Sequence, residues 1–271
     1  MTTALLTASR PIDLSPRVNP VNGLRQALTL AWRSLVRIKH DPRELADISV
    51  QPIMLTLLFT FVFGGAISGG VGSYIQFLLP GVLVGNMLFA TLNVGQGLNS
   101  DLSKGVFDRL RSLPIARWAP LAGRIAADQF KQLWSILLIL GIGFVLGFRL
   151  ENGFLGLLAA AGLLLVFAAA FSWVVVLIGV TSKEAEQVQM FGMAILLPLC
   201  FASGQFSPPE TMPGWLHWFA DVNPVGVLMQ ALRGLINGGP VAGPVVWSLV
   251  WAAVIVLVFA PMSLRALKKR A

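Results

Sequence analysis

Charge is what this sequence has least of. Lys, Arg, Asp and Glu make up 12% of its 271 residues, about half the share usual in a soluble domain. No charged residue occurs from Ile48 to Ser100, nor in Asn152–Ser182, Gln187–Pro209 or Gly234–Leu264. Each run exceeds the roughly 20 residues that carry a helix across a bilayer, so a soluble globular domain is excluded. Cysteine is nearly missing: Cys200 stands alone and can form no intramolecular disulfide. The two histidines, His40 and His217, are far apart in sequence, which leaves no metal-ligand cluster. No glycine is followed by Lys and then Ser or Thr, so there is no Walker A loop to cradle phosphates. Neither HExxH nor GxSxG occurs. The first 22 residues lack the basic start and apolar core of a secretory signal.

What is present is apolar. Hydrophobic residues reach 56% and the mean hydropathy is +0.77. A β-barrel shows weak alternating segments of about ten residues, whereas these runs are long and continuous. The expected fold is an all-α polytopic membrane protein with six transmembrane helices, at about 48–67, 74–98, 127–148, 154–180, 188–206 and 241–262. Basic residues gather in loops that stay cytoplasmic. With both termini cytoplasmic, eighteen of the 20 lie inside, leaving Arg149 and Arg233 outside. The net charge of +8 is thus a mark of topology, and nucleic acid is not an expected partner. The expected location is the cytoplasmic (inner) membrane.

Residues 1–22, rich in Ser, Thr, Pro and Asn, form an expected flexible cytoplasmic N-terminus. Within 23–41, Leu24, Leu28, Ala31, Leu35 and Ile38 make one helical stripe, with Arg25, Arg33, Arg37 and His40 off it. That suits a helix lying in the membrane surface or a cytosolic helix packed on the chain's own loops. Residues 42–271 are the expected transmembrane domain. In the second span Asn86, Asn93 and Gln96 fall within roughly an 80° sector, a polar face that serves either helix contact or a substrate path. Gly81 and Gly85 there form a GxxxG pair that permits close approach.

Two segments break the pattern. Asp101–Arg124 is the one long charged stretch between apolar regions, carrying Lys104, Arg109, Arg111, Arg117 and Arg124. From Val106 to Leu113 it reads as a short helix ended by Pro114, with Leu110 and Leu113 on one face. It serves either as a docking surface for a soluble partner or as a solvated connector. The other, SPPETMPGWLHWFADVNPVGVLMQALRGLINGGP after Phe206, has the prolines and tryptophans of a membrane interface. Pro224 suits the start of a helix there. The segment is either two short helices dipping into the outer leaflet or an outer surface loop.

Among the acidic residues, none falls near the centre of an expected span; Asp128 is placed at the edge of the third. This weighs against a carrier driven by an ion gradient, which usually uses an intramembrane ionisable group, although unwound backbone can also bind ions. A membrane-embedded lipid enzyme would have to draw on Glu184, Glu186 and His217. The glutamates suit the acidic start of a helix, and a membrane's thickness separates them from His217. The chain is expected to be non-catalytic, with its energy supplied elsewhere.

Asp108-Arg109-Leu110-Arg111-Ser112-Leu113-Pro114, followed by Arg117-Trp118 and Gly123-Arg124, resembles the cytosolic loop of ABC-2 type exporter permeases. The nearest subgroup is the daunorubicin-resistance type of drug and lipid exporters. Ser203-Gly204, Phe206, Met212-Pro213, Trp215-Leu216, Asn223-Pro224 and Arg233-Gly234 are similar to that family's segment between its fifth and sixth spans. Many relatives begin the central segment with glutamates, where this chain has Asp101, Lys104 and Gly105. The resemblance implies a coupling helix at Val106–Leu113 between spans 2 and 3, with Asp108, Arg109, Leu110, Arg111 and Leu113 meeting a nucleotide-binding ATPase subunit. It implies that residues 23–41 are the interfacial helix, and that Pro213, Trp215, Asn223, Pro224 and Arg233 belong to re-entrant short helices. ATP and Mg would sit on the partner ATPase subunit and no cofactor on this chain. A second permease chain, membrane lipids and an amphipathic drug-like or lipid substrate complete the expected partners.

Overall fold

A computed structural model describes residues 29, 42–68, 71–105, 119–205 and 213–270. The expected interfacial helix, apart from Thr29, and the expected coupling helix lie outside the described residues, as does the flexible N-terminus. Among those described, every regular element is a helix: α1 Pro42–Ser68, α2 Val71–Ser103, α3 Ala119–Val145, α4 Gly153–Thr181, α5 Ala185–Phe201, α6 Gly214–Val222, α7 Pro224–Asn237 and α8 Ala242–Arg270. In a hydrocarbon solvent only such internally bonded backbone is tolerated. Among the described residues, four helices hold windows long and apolar enough to cross a membrane: Tyr74–Ser103, Pro120–Val145, Gly153–Thr181 and Ala242–Arg270. Shorter apolar stretches occur in α1 (Ser49–Val62) and α5 (Ala185–Phe201).

α2 and α4 form the centre. α4 is apolar on all sides, the signature of a helix surrounded by others, and it packs on α2, α3, α5, α7 and α8. Close approach is set by glycine: a Cβ on Gly179 of α4 would lie 2.6 Å from the Gly95 carbonyl oxygen of α2. The main core joins Tyr74, Leu78 and Leu88 of α2 to Leu164 and Phe167 of α4 and to Val225, Leu228 and Leu232 of α7. A second cluster, Val94, Leu98, Leu121, Ile125, Val180 and Leu267, closes the end of the bundle where α2 leaves and α3 enters. α8 lies at the edge, exposing Val246, Trp247, Leu257 and Met262.

Several boundaries differ from the sequence reading. α3 begins at Ala119 and stops at Val145, whereas the third span was expected at 127–148. Its end is a paired turn: Phe148 N–H donates to Gly143 O (2.8 Å) and Gly147 N–H to Phe144 O (3.2 Å). Gly147 takes φ 97°, which glycine adopts without steric penalty, and Phe148 folds back into the core. α5 stops at Phe201, short of the expected residue 206. There Ala202 N–H donates to Pro198 O, Ser203 Oγ bonds Cys200 O (2.6 Å), and Gly204 turns the chain at φ 74°. α8 continues past the expected Met262 to Arg270, because Leu267 still has a core to pack on and cations favour a helix C-terminus.

Candidate functional site

Most of the basic segment lies outside the described residues, but both of its anchor points are seen. Asp101 stands in the last turns of α2 and Arg124 in the second turn of α3, and their side chains form an ion pair. A Cβ on Gly97 would collide with the Arg124 guanidinium, so the missing side chain gives the arginine its place. Both partners are partly exposed, which limits the pair to about 0–1 kcal/mol. Its role is geometric: the two ends of the segment are held side by side.

Beside this pair, the C-terminus of α4 leaves carbonyls without intrahelical partners, and two side chains take them up. Asn99 Nδ2 donates to Gly179 O (3.0 Å) and Ser182 O (2.8 Å). The Arg270 guanidinium, at the end of α8, donates to Gly179 O (3.3 Å), Val180 O and Ser182 O. Thus α2, α4 and α8 are fastened at one point. Sequence reasoning used Arg270 only as a topology marker and missed Asn99, whose partners lie some eighty residues away.

The expected polar face of α2 is divided by the structure. Gln96 is half-buried and its Nε2 donates to Gln189 Oε1 of α5. Asn86 is half-buried and Asn93 exposed. A different polar group lies inside. Because α3 starts earlier than expected, Asp128 is buried within the bundle rather than at its edge. Gln132, one turn on, donates from Nε2 to Met87 O of α2 (3.0 Å). Asp128 Oδ2 and Gln132 Oε1 have no hydrogen-bond partner among the described residues. The sequence reading put Asp128 at the edge of the third span; it lies instead well inside α3 and is buried.

At the other end, α6 and α7 form the two short helices. Asn223 caps α7, its Oδ1 accepting from Val225 N–H (2.9 Å) and its Nδ2 donating to Leu199 O of α5 (2.7 Å). Pro224 follows in the first turn, where its missing N–H costs nothing. Arg233 lies 4.0 Å over the Phe77 ring and donates to Gly204 O (2.9 Å). Asn237 Nδ2 donates to Gln76 O (2.8 Å). Pro213 precedes α6, and Trp215 is exposed. The close approach permitted by Gly81 and Gly85 is filled by Gln205: its carbonyl oxygen would be 2.6 Å from a Cβ on Gly81, and its side chain lies against Gly85. Glu184 and Glu186 open α5, while His217 sits on α6 beside Asp221, so the structure does not bring the three together.

Long apolar helices joined through glycine contacts and carbonyl-capping side chains make this a multi-pass membrane protein. The chain belongs to the ABC-2 type transporter family, whose pattern it matches over residues 25–237. It is 39% identical to the daunorubicin resistance ABC transporter permease protein DrrB1 of Streptomyces coeruleorubidus, over 90% of this chain and 86% of that one. The probable doxorubicin resistance ABC transporter permease protein DrrC of Mycobacterium tuberculosis is 28% identical over 88% of each chain. The inner membrane transport permease YadH of Escherichia coli is 22% identical over 68% of this chain and 73% of its own. This chain is accordingly a membrane permease subunit of an ABC exporter.

Proposed function

We propose that this permease moves an amphipathic drug-like molecule or lipid out across the cytoplasmic membrane, driven by a separate nucleotide-binding subunit that carries ATP and Mg. The 39% identity to a daunorubicin-resistance permease over 90% of the chain carries the reading. In it, α1, α2, α3, α4, α5 and α8 are six spans with both termini cytoplasmic. Residues 1–22 are a flexible lead and 23–41 an interfacial helix. Residues 106–113 are the coupling helix on which the ATPase docks. The permease works as a dimer, with itself or a related chain, and substrate passes between the two copies. Asn86, Asn93 and Gln96 line that path or hold helices together.

The Asp101–Arg124 pair supports the coupling role, since it gives the docking segment a fixed base. The re-entrant reading of α6 and α7 draws support from depth. Gln205 rests on Gly85, about 21 Å along α2 from its start at Val71. Asn223 at the start of α7 bonds the last turn of α5, and Asn237 at its end bonds Gln76 near the start of α2.

In a complex reconstituted with the ATPase subunit, Leu110→Ala combined with Arg111→Glu should lower substrate-stimulated ATP hydrolysis about tenfold, the scale of an interface anchor, with unchanged permease yield. Unaltered partner binding and coupling in that variant overturns the docking role. The buried Asp128 favours the ion-gradient alternative; transport that persists without the ATPase and follows a proton gradient would select it.

A further inference from the structure

α2 and α3 run antiparallel. Asp101 near the end of α2 meets Arg124 near the start of α3, and Gln132 further along α3 meets Met87 further back on α2. One turn inward from the ion pair, α2 therefore presents Gly97 and α3 presents Asp128, each four residues from its member of the pair. Gly97 has no side chain, and the Arg124 guanidinium already reaches over it. Its Nη1 donates to Asp101, while its Nη2 lies where a Cβ on Gly97 would stand. Asp128 is only 6% exposed, and its Oδ2 has no hydrogen-bond partner among the described residues. Arg124 and Lys131 both lie within electrostatic reach of it.

A carboxylate oxygen buried without a donor is costly, and an arrangement that brings it a donor offsets that cost. Arg124 has a clear track to it. Residues four apart on a helix face hold their Cβ atoms about 5–6 Å from each other, and a guanidinium carries donors on every side. Side-chain rotation across the space left by Gly97 therefore carries the guanidinium from Asp101 to Asp128. We infer that Asp128 is a second, inner acceptor for Arg124, taken when the segment between α2 and α3 shifts and the Asp101 pair opens. Arg124 is then a latch with two held positions. In the outer one it joins α3 to α2 through Asp101; in the inner one it pairs within α3 and releases α2. Asp128 is a positioning residue for coupling, and its burial has a use without any ion gradient. The latch is a property of the permease alone, so its failure leaves the exporter reading intact.

The test treats the full-length permease in a neutral maltoside detergent with phenylglyoxal, which modifies accessible arginine, and follows Arg124 by peptide mass spectrometry. Asp101→Asn opens the outer pair. It should slow modification of Arg124 about tenfold relative to wild type, because the guanidinium withdraws to a charged, buried acceptor. Asp101→Asn combined with Asp128→Asn should restore reactivity to the wild-type rate or above. Modification of Asp101→Asn at the wild-type rate or faster overturns the inference. Thermal unfolding supplies a second reading. The double variant should unfold about 2–4 °C below the sum of the two single shifts. That excess should vanish in an Arg124→Gln background, with Lys131 unchanged throughout. Additive shifts overturn the inference, as does an excess that survives Arg124→Gln. If Asp128→Asn lowers the yield of folded protein, the comparison of Asp101→Asn with wild type decides alone.

Discussion

Asn99 carries no charge and sits in no motif, yet it holds two carbonyls of α4 that the end of that helix leaves open. Hydrogen bonds between membrane helices average about 0.6 kcal/mol, so Asn99→Ala should cost about 1 kcal/mol. That loss is readable as a lower midpoint of thermal unfolding in detergent. Arg270 shares the same acceptors, so adding Arg270→Ala should cost less than the sum of the two single changes. At this scale the sequence was legible only where a residue announces itself by charge or by a fixed local rule. Pro224 obeys such a rule and opens α7 as expected, while the Asn223 cap beside it is a finding of the structure. Asn99, Gln132 and Gln205 do not, because their partners belong to helices distant in the chain. The burial of Asp128 was missed through a boundary: starting the third span at residue 127 put at the edge of a helix a carboxylate that lies well inside it.

Between helices, glycine sets the distances. Gly95 and Gly179 bring the backbones of α2 and α4 together, and any larger side chain at Gly179 meets backbone rather than a movable group. Gly179→Leu should therefore prevent recovery of monodisperse permease in fluorescence-detected size exclusion. Gly162→Leu on the same helix, with nothing within 4 Å of its Cβ position, should leave recovery near wild type. Helix existence was readable along nearly the whole described chain, since uninterrupted apolar sequence admits few other structures. Helix ends were less so. The turn at Gly147 and the stop after Phe201 depend on hydrogen bonds that hydropathy does not encode, and α8 outran its apolar stretch because Leu267 found a core. The partner of the Gly81–Gly85 groove was likewise invisible: a spacing tells that something comes close, without saying what.

Across the whole molecule, the arrangement of ends is the quantity to measure. α4 is about 44 Å long and exceeds a hydrocarbon core of about 30 Å, so its two ends reach opposite surfaces. The sole native thiol, Cys200, is buried, which makes single-cysteine labelling clean. Lys104→Cys should react with a membrane-impermeant maleimide only after cells are opened, and Gly239→Cys should react in intact cells. The reverse pattern removes the proposed orientation and the coupling role with it. The ion pair between Asp101 and Arg124 has a consequence for how force travels. A loop tethered at two separate points pries its helices apart when pulled. A loop whose ends are paired at the base, above the packed Leu98, Leu121 and Ile125, loads both helices at one place. A load on that base falls on α2 and α3 side by side, and α2 meets α4 at the Gly95–Gly179 contact.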